Sequence, residues 1–377
     1  MNNLLTIPPL SLYIHYPWCL KKCPYCDFNS HEGEVKTGYI NALIEDLEGD
    51  LKYVQNRAIE SIFIGGGTPS LMSTEDANDL IDGLKERLTF SDNVEITMEA
   101  NPGTFEVEKF AEFRNIGINR LSIGVQSFED RQLKFLGRVH SSNEAINAIT
   151  EAQRVGFKNL NIDLMYGLNG QSIDMCIEDL NKAIELNPSH ISFYQLTLEP
   201  NTLFSKFPPR LPSEEVIWEM GEKGANLLNK KGFRQYEVSA YSTTPSIHNL
   251  NYWTFGDYIG IGAGAHGKIT DMNTHQIFRT LKLKSPNEYL LSFKKNKKIS
   301  RKKMVDSLSF EFMLNGLRLI DGFDSGLYES RTGLSIESVR SQIIKAEKLN
   351  LLDTRDNWIK PTKSGYSFLN ELQEIFL

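Results

Sequence analysis

Short apolar runs alternate with amphipathic stretches from residue 11 to about residue 197, and this rhythm restricts the chain to few architectures. The runs are SLYIHY, SIFIGGG, EITMEA, INRLSIGVQ, NLNIDLMYG and HISFYQLT. Between the first two, Ile40, Leu43, Ile44, Leu47, Leu51 and Val54 recur at helical spacing. Ser73 followed by Asp76 resembles a capping box opening the next helix. Further helices are expected near residues 106–115, 143–154 and 173–186. Strand–helix units of about 30 residues predict an α/β fold, a parallel sheet with helices outside it. Polar groups gather at the C-terminal ends of the runs: Gly65 to Thr68, Glu99, Gln126, Asp163 and Gln195. In a β/α barrel that rim carries the active site. Open sheets obey the same rule, so the pattern leaves closure undecided.

After residue 197 the rhythm changes. A helix is expected over 214–230 and a strand in FRQYEVSAY, followed by the glycine- and aromatic-rich stretch HNLNYWTFGDYIGIGAGAHGK. The basic run from Lys294 to Lys303, KKNKKISRKK, reads as a boundary. Beyond it come two amphipathic helices (305–319 and 336–349), a hairpin in LLDTRDNWIKPT and a closing helix over 365–375. Helices followed by a small hairpin predict a winged-helix-like module. The expected division is 1–241, a barrel-like domain; 242–303, an extension with the basic linker; and 304–377, the C-terminal module.

Composition narrows the function. At 40% hydrophobic and 24% charged residues, 377 residues can bury a sizeable core. A net charge of −7 gives no footprint for nucleic acid, and from Asp321 onward the chain holds nine acidic against seven basic residues. No apolar run approaches the roughly 20 residues that cross a bilayer, and the start lacks a signal-peptide pattern. A cytoplasmic protein is expected. The basic run could also touch anionic lipid at a membrane surface.

Four cysteines make no disulfide framework in so long a chain. Cys176 lies in a helical stretch and reads as a small buried hydrophobe. Cys19, Cys23 and Cys26 follow the first strand in HYPWCLKKCPYCDF. Thiolates are soft donors that suit zinc, copper(I) or iron–sulfur clusters. A zinc site wants four ligands, and His15 or His31 could supply the fourth. Three thiolates on a four-iron cluster instead leave one iron open to a small chelating molecule. Pro17 and Pro24 stiffen the loop, while Lys21 and Lys22 bring positive charge to it.

The Cys-x₃-Cys-x₂-Cys loop after the first strand resembles the radical S-adenosylmethionine (SAM) superfamily. The resemblance implies a partial (β/α)6 barrel and a [4Fe–4S] cluster on Cys19, Cys23 and Cys26. It further implies that SAM chelates the open iron, with Tyr25 near the adenine, and is cleaved to a 5′-deoxyadenosyl radical. YIHYPWC, FIGGGTPS, EANP, GVQSF, LGRVH and NIDLMYGL narrow the likeness to the oxygen-independent coproporphyrinogen III oxidase family and its heme-chaperone branch, HemW. By position, Tyr13, Gly66, Gly67, Thr68, Glu99, Gln126, Arg138 and Asp163 match SAM-site residues, with Gln195 a weaker match.

Two departures point away from the oxidase. Its fourth loop cysteine is replaced by Phe28, and its N-terminal arm has no counterpart in the 18 residues before Cys19. The stretch His248 to Trp253 instead resembles HemW. The implied activity is heme binding and delivery to acceptor proteins, with a tetrapyrrole-directed enzyme as the rival. A heme carrier needs an iron ligand. His248 leads, His266 is equally placed, and His275 and Cys176 follow.

Overall fold

The computed structural model describes residues 4–103, 107–295 and 300–377. Six strands run parallel in chain order: β1 (Leu10–Tyr16), β2 (Ile59–Gly66), β3 (Phe90–Ala100), β4 (Arg120–Gln126), β5 (Asn159–Tyr166) and β6 (His190–Gln195). Each follows one of the six apolar runs. Leu12, Ile62, Met98, Leu121 and Ile162 are buried on the face that the helices cover, together with Leu43, Leu80, Ala148 and Leu180 from those helices. The alternate positions carry Ser61, Glu95, Thr97, Ser122 and Asn161, so the concave side of the sheet is polar although enclosed.

The sheet continues past these six. FRQYEVSAY forms two short strands, β7 (Arg234–Gln235) and β8 (Ala240–Ser242), rather than one. β8 pairs antiparallel with β6. The glycine-rich stretch enters the same sheet: β9 (Asp257–Ile261) lies parallel to β1 on its other side. Antiparallel β10 (His266–Asp271), β11 (Gln276–Lys282) and β12 (Ser300–Met304) complete twelve strands. The glycines have a local cause, since a Cβ on Gly260 would run into the His266 carbonyl across the turn. Buried ions fix this extension to the barrel. Asp257 pairs with Arg57 at 2.8 Å and Lys268 at 3.0 Å, while Lys282 joins Asp46 and, at 2.6 Å, Asp50.

The helix Ile247–Trp253 packs into the base of the barrel. Glu95 of β3 accepts from the Ser246 hydroxyl (2.8 Å) and the His248 backbone N–H (3.1 Å), a carboxylate on the positive end of a helix. The His248 ring stacks on Phe63 of β2 and meets Tyr252 edge-on. This helix forms a floor.

The basic run is not a free linker at its described ends. Lys294 closes the helix Pro286–Lys294, and Lys302 lies on the sheet's edge strand, 3.7 Å from the Phe278 ring centre. Residues 296–299 of the run lie outside the described residues.

The C-terminal module has its own core around Phe312, Phe323, Tyr328, Ile343 and Leu372. Its first helix is shorter than the sequence suggests (Leu308–Gly316), and Ser325–Thr332 adds a helix the pattern did not reveal. The hairpin Leu352–Arg355 with Trp358–Pro361 gains a third strand, Phe323–Asp324. The closing helix breaks at Phe368 into two short ones. Arg318 seats the module on the barrel, 3.0 Å from Glu237 and 4.2 Å from the Trp253 ring centre.

Candidate functional site

The cysteine loop leaves β1 at its C-terminal end and is pinched shut at the base. Trp18–Cys19 pairs in parallel with His31–Glu32, and His31 N–H donates to the Pro17 carbonyl at 2.7 Å. Within the loop, the Cys26 N–H donates to the Cys23 carbonyl at 3.1 Å. Lys22 does more than supply charge: its ammonium donates to the carbonyls of Phe28 (2.9 Å) and Ser30 (3.2 Å) and holds the loop in shape. Asn29 anchors the outgoing limb through the Ala263 and Lys284 carbonyls, both at 2.9 Å.

All three loop cysteines are free thiols on the wall of one cavity of about 440 Å³ at the barrel rim. Burial raises the Cys19 and Cys26 thiols above their ordinary pKa. Among the described residues, no group of three or more His, Cys, Asp or Glu is arranged to hold a single metal ion. Cys176 is buried in its helix with its thiol pushed up to about 12 by burial, as an inert core residue should be.

The Gly65–Thr68 turn runs against this loop. Gly67 and Thr68 donate to the carbonyls of Tyr16 and Trp18, each at 2.7 Å. Gly66 sits at φ 119, and a Cβ there would stand 2.6 Å from the His15 ring. The turn therefore presents bare backbone to the cavity.

Opposite the turn stand the charged groups. Gly66 N–H donates to Glu99 at 3.0 Å, yet burial, with a smaller push from Asp163, raises the Glu99 carboxyl to about 7. Burial also raises Asp163, which accepts from Asn161 (2.8 Å) and Ser122 (3.2 Å). Arg138 donates to Asn101 Oδ1 at 2.5 Å and the Gly124 carbonyl at 2.7 Å, and its Nη1 is 3.6 Å from Cys23 Sγ. Its buried Nε has no protein partner, leaving a donor for an anion. Gln126 holds a left-handed backbone (φ 75), and its side chain accepts from Tyr194 at 2.6 Å.

The structure thus brings Cys19, Cys23, Tyr25, Cys26, Gly66, Gly67, Thr68, Glu99, Gln126, Arg138, Asp163 and Gln195 to one cavity wall. Tyr13 stands behind that wall, its hydroxyl 2.9 Å from His15 Nδ1 and its ring on Phe63. His248 is only 1% exposed, with Nδ1 2.8 Å from the Ser61 hydroxyl, so a macrocycle cannot reach it in this conformation. Its aromatic neighbours fill the floor and do not form an open slot. His266, by contrast, is exposed. Asn101, Ser122 and Tyr194 line the cavity and escaped the sequence reading. Asn101 was findable, because it lies just beyond the strand end that carries Glu99.

The Glu99 shift gives a test of its own. Its folded pKa lies above the unfolded value near 4.5, so the folded state loses stability as pH rises from about 4.5 to about 7, and the loss is complete above that. Glu99→Gln keeps an acceptor for Gly66 and removes this ionisation. In calorimetry of the cluster-loaded, SAM-free protein, the variant's stability advantage should grow between about pH 4.5 and pH 7 and level off above that, reaching about 3 kcal/mol. A constant offset would contradict the raised carboxyl.

A barrel rim with three thiols, a bare glycine turn and paired carboxylates defines the radical SAM class. The Radical SAM superfamily profile matches residues 13–183, and that of the HemN C-terminal domain matches residues 306–368. The superfamily's cofactors, a [4Fe–4S] cluster and SAM, fit the donors described. The solved structure of coproporphyrinogen III oxidase (HemN) from Escherichia coli shares the fold, with a TM-score of 0.82 at 21% identity over 98% of this chain and 90% of that one. Heme chaperone HemW of Haemophilus influenzae is 47% identical over 98% of both chains. Its Escherichia coli counterpart is 46% identical over 99% of this chain and 100% of its own. The chain belongs to the HemW family.

Proposed function

We propose that the protein is a heme chaperone that binds a [4Fe–4S] cluster, SAM and heme and delivers heme to acceptor proteins. The observation that carries this reading is full-length identity of 46–47% to proteins described as heme chaperones, together with an intact three-thiol cavity. Cys19, Cys23 and Cys26 would hold the cluster, and its open iron would bind SAM through the methionyl amine and carboxylate. Arg138 offers a cation for that carboxylate, and the Gly66–Gly67 backbone approaches the amine. Glu99, Gln126 and Asp163 supply acceptors and donors for the ribose and methionyl groups, with Tyr25 and Gln195 on the same wall.

Heme ligation falls to His266 by exposure. His248 serves only if the helix Ile247–Trp253 swings out. We place the protein in the cytoplasm; separately, among the described residues, no helix is long and apolar enough to cross a membrane. The charge balance argues against nucleic acid, and contact with anionic lipid through Lys294 to Lys303 rests on charge alone.

The rival is a coproporphyrinogen oxidase. Phe28, 57% exposed, stands where that enzyme's loop carries its fourth cysteine. Reduced, cluster-loaded protein given coproporphyrinogen III and SAM should yield no protoporphyrinogen, while a heme titration shows a saturable complex weakened by His266→Ala. Decarboxylation at an enzyme-like rate would sink the chaperone reading.

A further inference from the structure

We infer that His190 and Tyr236 are positioning residues that aim Asp163 into the SAM cavity from beneath the barrel. This rests on the reading that Asp163 faces bound SAM. The supporting observation is a buried, hydrogen-bonded chain that no function described so far uses. Asn249 Nδ2 donates to the Tyr236 hydroxyl (3.2 Å), which lies 2.8 Å from His190 Nε2. His190 Nδ1 is 2.6 Å from Asn161 Oδ1, and Asn161 Nδ2 donates to Asp163 at 2.8 Å.

The chain has one consistent polarity. Asn161 Nδ2 is committed to Asp163 and Ser122, so its oxygen must face His190. His190 Nδ1 therefore carries the proton, and Nε2 accepts from Tyr236. His190 is fully buried and held well below its ordinary pKa by burial and by Arg120, which keeps the ring in this neutral form. Each donor points toward the carboxylate. Were the imidazole to take the other tautomer, Nδ1 would present a lone pair to the Asn161 oxygen. The amide would then rotate, turning its oxygen toward Asp163 and displacing it.

Tyr236 is the far anchor. Its carbonyl accepts from Ile320 N–H at 3.1 Å, and its neighbour Glu237 takes the ion pair from Arg318. Both partners lie where the C-terminal module meets the barrel. The orientation of Asp163 is thereby referred to the seat of that module, across the depth of the sheet.

The test compares SAM affinity by equilibrium dialysis in full-length, cluster-loaded protein, with iron content and thermal midpoint as controls. His190→Leu removes the Nδ1 donor and the Nε2 acceptor and should weaken SAM binding about tenfold, the scale of one misdirected hydrogen bond to a charged group. His190→Asn keeps a donor where Nδ1 stood and should recover most of that loss, although it fills the site no better. Tyr236→Phe keeps the ring and should cost about threefold. Wild-type affinity in His190→Leu, or equal losses in the Leu and Asn variants, overturns the proposal, because affinity would then ignore the donor or follow packing alone. Asp163→Asn is the arm for the underlying reading: if it binds SAM as wild type does, the carboxylate is no SAM contact and the site assignment itself fails.

Discussion

Cys23→Ala should leave the protein folded and colourless after anaerobic purification, with iron and inorganic sulfide at background and the broad visible absorbance gone. The loop does not depend on this thiol for its shape. Its base is held by the Trp18–His31 pairing, its crown by the Lys22 ammonium and its exit by Asn29. Two thiols remain, too few to retain four irons against dilution and chelators. Cys19→Ala and Cys26→Ala should give the same result, whereas Cys176→Ala, in a helix core, should keep full iron and sulfide. The comparison separates a cluster from a zinc site, since zinc protein is colourless before any substitution. Iron and sulfide retained at wild-type levels in Cys23→Ala would refute the assignment.

Arg138→Ala should retain the cluster and lose SAM, with affinity falling about a hundredfold or more. The guanidinium is already paid for in the free protein: Asn101 and the Gly124 carbonyl fix it, and Cys23 lies beside it. Its buried Nε lacks a partner, so a bound carboxylate gains a charge-assisted contact without first ordering the side chain. Contacts of this kind are worth about 3 kcal/mol or more when half-buried, which is the source of the hundredfold figure. Arg138→Lys should recover little, because a point charge cannot keep the Asn101 and Gly124 contacts while also meeting the ligand. Equilibrium dialysis checks the loss, and iron analysis on the same sample checks that the cluster stayed. If SAM binds Arg138→Ala with native affinity, the cation for its carboxylate lies elsewhere.

Much of the site was legible because strand ends announce themselves. Glu99, Gln126 and Asp163 each close or punctuate an apolar run, and the rule that such ends share a rim gathers them without knowledge of the pairing. Tyr194 was not legible. It lies inside the sixth run, where an aromatic reads as core, and only the alternation of faces in β6 turns its hydroxyl toward Gln126. His248 is the converse case. A histidine among aromatics looks like a ligand in waiting, but the sequence does not say that Phe63 and Tyr252 close around it.

The sheet extension failed for a third reason. β9 and β10 are built where glycines allow backbones to pass almost in contact, and that spacing erases the apolar alternation by which strands are recognised. In the C-terminal module, the helix Ser325–Thr332 is only eight residues long, too short for a periodic face to stand out. The hairpin beside it was readable from Asp356 and Asn357, which take the left-handed turn such loops require.

The floor made by the helix Ile247–Trp253 has a consequence for traffic. Among the described residues, the packed rings of His248, Phe63 and Tyr252 lie across the base of the barrel beneath the rim cavity. Exchange with the cavity is therefore expected at its upper threshold, on the face that carries the cysteine loop.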